Sequence, residues 1–214
     1  MNVVLLGIPG SGKGTQANFL KKRLKLKAIL TGDLLREAVE KGTKLGEDAK
    51  EFMEKGDLVP DQIILDLIEE KIKEQKNFSG FVLDGFPRTL PQAEGLDLLL
   101  ERTGKSLDYA IKLNLPKERA LKRLEGRLVC PFCEAFYNLE TNPPKKDLLC
   151  DFCAKKLIRR SDDKKDLIAT RIQVYQKKTE PVEDYYQKQG KLKIVDGDGK
   201  ADLVFERILA VLKK

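Results

Sequence analysis

The sequence predicts an α/β fold of the P-loop type: a five-stranded parallel sheet flanked by helices, with two inserted lobes. Three observations predict it. Five short apolar runs alternate with helical patterns, a glycine-rich turn follows the first run, and two polar segments interrupt the alternation. Apolar runs without in/out alternation suit strands buried on both faces, and strand–helix alternation suits a parallel sheet. Ligands of such folds sit at the carboxyl ends of the strands.

The elements follow in order. Residues 3–6 form the first strand, and Ala17, Leu20 and Leu24 share one face of the helix after it. A second strand covers 28–30. The segment from Thr31 to Pro60 is polar and helical, with turn signals at Gly42-Thr43 and Gly56-Asp57. Ile64, Leu67, Ile68 and Ile72 define another helix, and strands follow at 81–83 and 109–113. The segment 126–163 holds all four cysteines and Asn142-Pro143-Pro144 without helical periodicity. A long helix opens at Asp162-Asp163 with Leu167, Ile168, Ile172 and Tyr175 on one face, and Pro181 breaks or kinks it. The last strand is 192–195, followed by a helix facing inward through Leu203, Val204, Ile208 and Leu212. The core is therefore 1–29, 60–125 and 164–214, with lobes at 30–59 and 126–163.

Composition narrows the function. The chain has 214 residues, room for one sizeable core. Lys plus Arg number 41 against 34 Asp plus Glu, a net charge of +7, which suits an anionic partner: nucleotide, nucleic acid or acidic membrane. There is no histidine, so every His triad, His ligand and His general base is excluded. No stretch reaches the roughly 18–20 apolar residues of a membrane span. The apolar residues 1–10 lack a basic leader and a cleavage site, and read as a buried strand of a cytoplasmic protein.

The strongest motif is Gly7-Ile8-Pro9-Gly10-Ser11-Gly12-Lys13-Gly14-Thr15, between a strand and a helix. Its glycines let backbone N–H groups of Gly10, Ser11, Gly12, Lys13, Gly14 and Thr15 converge on phosphate. The helix amino terminus adds partial positive charge and Lys13 a full one. Gly14 stands where motor proteins and GTPases have Ser or Thr, and the Asn-Lys-x-Asp element of GTPases is missing.

A second signal is Phe81-Val82-Leu83-Asp84-Gly85-Phe86-Pro87-Arg88. The strand delivers Asp84 to the sheet edge beside the phosphate loop, where a carboxylate can hold Mg2+ directly or through water. Arg88 then offers a bidentate fork to phosphate. Thr31-Gly32-Asp33-Leu34-Leu35-Arg36 repeats this logic. Cys130-Pro-Phe-Cys133 and Cys150-Asp-Phe-Cys153 carry the spacing of a four-thiolate Zn2+ site; two disulfides or an iron–sulfur centre are the other readings of four cysteines. Four cysteines would close a zinc site against water, making it structural.

Gly7 to Thr15, Thr31-Gly-Asp-x-Leu-Arg36, Asp84-Gly-Phe-Pro-Arg88 with Gln92, and Arg160-Ser161-Asp162-Asp163 together resemble the adenylate kinase family, in its bacterial form with a long cysteine-bearing LID. The resemblance implies reversible Mg2+-dependent phosphoryl transfer from ATP to AMP, giving two ADP. It implies that 30–59 binds AMP and that 126–163 is a zinc-binding LID over ATP. AMP would touch Thr31, Arg36, Asp57, Leu58, Val59, Gly85, Phe86, Pro87, Arg88 and Gln92. ATP would use the phosphate loop, Arg127, and Phe136 and Tyr137 near the base. Arg160 and Arg171 would reach both substrates on closure. By position, Arg123 would cover the adenine plane and the Gly197-Asp198-Gly199 turn would approach adenine through its backbone. Lys13, Asp84, Arg88, Arg127, Arg160 and Arg171 would carry catalysis in a monomer without nucleic-acid or membrane partners. A related kinase with another base, GTP:AMP or UMP/CMP, shares most of these motifs. A zinc-ribbon nucleic-acid binder would instead interleave basic and aromatic residues along one face.

Overall fold

The computed structural model describes residues 1–74 and 79–212. Five strands, β1 (Asn2–Leu6), β2 (Lys27–Leu30), β3 (Phe81–Asp84), β4 (Tyr109–Asn114) and β7 (Leu192–Asp196), form one parallel sheet in the order β2-β3-β1-β4-β7. β1 is central because its apolar residues must be covered on both faces. Val4, Leu6, Phe81 and Leu83 face α4 (Asp61–Lys73), α5 (Leu90–Arg102) and α8 (Glu180–Lys188). Val3, Leu5, Val82 and Ile111 face α1 (Lys13–Leu24) and α9 (Ala201–Leu212). Leu5 pairs with Asp84, and Leu30 pairs with Asp84 on the other side, so the carboxyl ends of three strands meet in one row.

The first inserted segment is a helix pair, α2 (Thr31–Glu40) and α3 (Lys44–Lys55). Thr43 caps α3 by accepting from the Gly46 N–H at 3.2 Å, and Gly56 ends it at φ 74°. The second follows α6 (Lys117–Glu125) and pairs β5 (Arg127–Val129) with β6 (Phe136–Asn138). Its two cysteine knuckles are built alike. The Glu134 N–H donates to the Cys130 carbonyl at 3.0 Å, and the Ala154 N–H to the Cys150 carbonyl at 2.8 Å.

Two sequence expectations change here. Leu203 is 51% exposed, and Phe205 takes its place beside Val204 and Ile208. At 100° per residue, 204, 205 and 208 share a face that 203 leaves. Pro181 does not break the late helix. A 3-10 turn at Ser161–Asp163 precedes α7 (Lys165–Val174), which continues into α8 through a π turn at Tyr175–Thr179. Pro181 has no N–H to give the carbonyl four residues back, and the helix widens just ahead of it rather than stopping.

Candidate active site

A cavity of about 300 Å³ opens at the carboxyl ends of β1, β2 and β3. The loop after β1 forms one wall. Gly7, Gly10 and Gly12 hold φ of 132°, 89° and 97°, values only glycine adopts freely. A β-carbon on Gly10 would lie 2.6 Å from the Ala120 carbonyl oxygen. One on Gly14 would meet the Phe136 ring at 3.1 Å and Asp84 Oδ2 at 3.3 Å, which is why this loop lacks the usual Ser or Thr. Lys13 Nζ donates to the Gly7 and Ile8 carbonyls at 2.6 and 3.1 Å. Burial pushes the ammonium down to about 8, against the pull of Asp84. Phosphate in the loop would drive it back up.

Arginines from five places along the chain, 36, 88, 127, 160 and 171, converge on the same space. Burial, reinforced by the Arg171 charge, lowers Arg88 to about 10, and burial beside Arg36 and Arg127 does the same for Arg160. Both remain charged at neutral pH. Four carboxylates interleave with six cations. Arg127 donates Nε to Asp163 Oδ2 at 2.7 Å and Nη2 to Oδ1. Arg171 Nη1 reaches Asp162 Oδ2 and Asp163 Oδ1, each at 3.2 Å. Arg160 donates to Asp33 at 2.8 Å, and Arg36 pairs with both Asp33 and Asp162. These last contacts tie the end of the cysteine lobe to the helix pair across the cavity. Burial alone would raise Asp162, but Arg171, Arg36, Arg127 and Arg160 together hold it below the usual carboxylate range. Sequence reasoning placed Asp33, Asp162 and Asp163 in motifs but did not pair them with the site arginines. Each lies within three residues of a site arginine, and that adjacency was the available signal.

Every nucleotide-site residue expected from sequence lines this cavity except Phe86. Its ring is fully buried in the main core beneath the loop, because an aromatic side chain there gains more from apolar burial than from a charged cleft. Tyr137 borders the cavity, but its side chain belongs to the cysteine lobe's own core. Its hydroxyl accepts the Asp151 N–H at 2.8 Å and meets Cys150 Sγ at 3.5 Å. Phe136 does face inward, with the Arg160 guanidinium 5.2 Å from its ring centre. Arg123 Nη1 donates to the Gly197 carbonyl at 3.0 Å, and Nη2 reaches Asp198 and the Gly199 carbonyl at 3.3 Å. It pins the turn with which the sequence reading grouped it. Gln92 accepts the Arg88 N–H and donates to Asp61, both at 2.7 Å, leaving one amide N–H and one lone pair free for another partner.

Both metal expectations meet suitable donors. Asp84 is a hard oxygen ligand lining the cavity beside the loop, suited to Mg2+. Burial raises Asp84, so a cation would also hold it ionised. The four cysteines are unbridged and their sulfurs lie within 4.8 Å of one another. Cys130–Cys153 and Cys133–Cys150 are 3.4 Å apart and Cys133–Cys153 3.6 Å. Tetrahedral thiolates about 2.3 Å from a zinc ion would stand roughly 3.8 Å apart, close to these three separations.

A model of the adenylate kinase family matches residues 5–191. The chain is 48% identical over 214 residues to an adenylate kinase of Methanosarcina barkeri, covering 100% of this chain and 99% of the relative. The chain belongs to the adenylate kinase family. It is 46% identical to the adenylate kinase of Archaeoglobus fulgidus, again across 100% of this chain and 99% of that one. With the relative from Thermodesulfovibrio yellowstonii it shares 45% identity over the whole of both chains. The chain is accordingly a phosphotransferase that moves a phosphoryl group reversibly between ATP and AMP, and GTP:AMP, UMP/CMP and nucleic-acid-binding readings are not favoured.

Proposed function

We propose that AMP binds where Thr31, Arg36 and Gln92 meet, that Mg2+-bound ATP lies along the phosphate loop toward Arg123, and that transfer occurs in line between them. Residues 30–59 then form the AMP lobe and 126–163 the LID. The observation that supports this most is one cavity bordered by Lys13 and six half-buried arginines, with two hydroxyls facing no partner: Ser11 Oγ in the loop and Thr31 Oγ1 at the opposite end. Buried polar atoms are rarely left so without a ligand or water to satisfy them.

The AMP phosphate is already an anionic nucleophile at neutral pH, so no general base is required and a chain without histidine suffices. The difficulty is bringing two polyanions into line. Lys13 and Arg88 hold the transferring phosphoryl group from the core side. Arg127, Arg160 and Arg171 close on it from the LID side, exchanging Asp33, Asp162 and Asp163 for phosphate oxygens. Asp84 would hold the Mg2+ that accompanies ATP, and the ion would there neutralise phosphate charge. Phe136, closing over Gly14, excludes water that would otherwise take the phosphoryl group. The free N–H and lone pair of Gln92 match the N1 and N6 edge of adenine. At the other end Arg123 fixes the Gly197–Gly199 backbone against the donor base.

The four cysteines hold Zn2+ as a closed structural site, with no position open to substrate. The protein works as a cytoplasmic monomer with nucleotides as its partners. Among the described residues no helix is long and apolar enough to cross a membrane.

The two ends are separable by experiment. Arg123→Ala frees the donor-side turn, and the KM for ATP rises on the order of tenfold while the KM for AMP stays within about twofold. Steady-state kinetics varying each nucleotide in turn measures this. Equal rises for both would misplace the donor base.

A further inference from the structure

Arg88 is fixed at three points. Gln92 accepts its N–H at 2.7 Å, and its own Nε donates to the Gly85 carbonyl at 2.8 Å. Both of those partners lie within four residues of it in sequence. The third comes from 91 residues away: the Thr179 hydroxyl donates to the Arg88 carbonyl at 2.9 Å. A helical threonine ordinarily bonds a carbonyl of its own preceding turn. Thr179 instead reaches out of its helix.

Thr179 ends the π turn, where the Glu180 N–H reaches back five residues to the Tyr175 carbonyl. One extra residue per turn changes the direction in which everything after Val174 projects. The widened turn is also braced at both ends. Tyr175 OH donates to Glu183 Oε1 at 2.5 Å, and Lys112 of β4 holds Glu183 Oε2 at 2.5 Å. The three residues Tyr175, Thr179 and Glu183 are all buried. We propose that Thr179 is a positioning residue for phosphoryl transfer, acting through Arg88, and that the π turn braced by Tyr175, Glu183 and Lys112 sets its hydroxyl against the Arg88 carbonyl. This rests on the reading that Arg88 contacts the transferring phosphoryl group.

The test is a double-mutant cycle read by the single-turnover rate of phosphoryl transfer, with melting temperature as the folding control. Thr179→Val keeps the volume and removes the hydroxyl; the rate falls on the order of tenfold, with the KM for ATP unchanged. Thr179→Ser keeps the hydroxyl and stays within about twofold of the parent. In an Arg88→Lys background, Thr179→Val causes no further loss, because the group it positions is gone. A loss that multiplies in that background, or a Ser variant as slow as the Val variant, overturns the proposal. An Arg88→Lys enzyme at the parental rate overturns the role of Arg88 itself, a different failure. If Thr179→Val does not fold, Tyr175→Phe carries the same cycle: it loosens the brace and loses about threefold, again only while Arg88 is present.

Discussion

Replacing Arg88 with lysine slows phosphoryl transfer by on the order of ten- to a thousandfold, while the fold and metal content stay unchanged. Charge alone does not rescue the position. The guanidinium presents a planar fork, and its Nε is held by the Gly85 carbonyl so that the two terminal nitrogens remain for phosphate. A lysine there has a single mobile ammonium and a lower ordinary pKa. Burial that already lowers the arginine to about 10 would strip part of the charge from the lysine. The contact strengthens as charge spreads over the transferring group, so the loss falls on the chemical step more than on binding. Single-turnover kinetics of the purified variant measures it, with circular dichroism as the folding control. A variant within twofold of the parent would show that Arg88 does not touch the reacting phosphoryl group.

Removing the metal from the cysteine lobe is the second large effect, on stability rather than chemistry. The lobe's buried cluster is Leu128, Cys130, Tyr137, Cys150 and Leu157, and two of those five are thiols of the metal site. So small an apolar core cannot hold a lobe of this size, and zinc bound as proposed would supply most of its folding free energy. Chelation, or Cys150→Ser, therefore lowers the melting temperature first. Below the new transition, turnover survives at a reduced level, because Arg127 and Arg160 are carried on backbone that can still close. The measurement titrates one zinc per chain and follows melting and turnover together at low temperature. Turnover that vanishes while the lobe remains folded would give the metal a chemical role.

The sheet was legible in the sequence to within one residue at most strand ends, for a physical reason. Strands such as β1 and β3 are covered on both faces, so they read as bare apolar runs between turn signals. The phosphate loop was equally legible because its chemistry is carried by the backbone, which forces glycine at fixed positions. Other features depend on tertiary context. The three-residue strands β5 and β6 are too short to carry a period. Phe86 sits in a site motif, yet its ring packs downward into the core, and Tyr137 joins the cysteine lobe's own cluster with its hydroxyl against Cys150. Asp33, Asp162 and Asp163 read as ordinary acids beside arginines until the chain brings them together. The π turn is set by Pro181 together with partners on β4 and in the Arg88 loop, which are distant in sequence.

The central claim is that one cavity brings two nucleotides together for direct transfer. Its most direct test is product stoichiometry in a mixture of ATP, AMP and Mg2+. Two ADP should form for each ATP consumed, and ADP formation should cease when AMP is omitted. ADP appearing equally fast without AMP would mean that water, not AMP, takes the phosphoryl group, and would contradict the account.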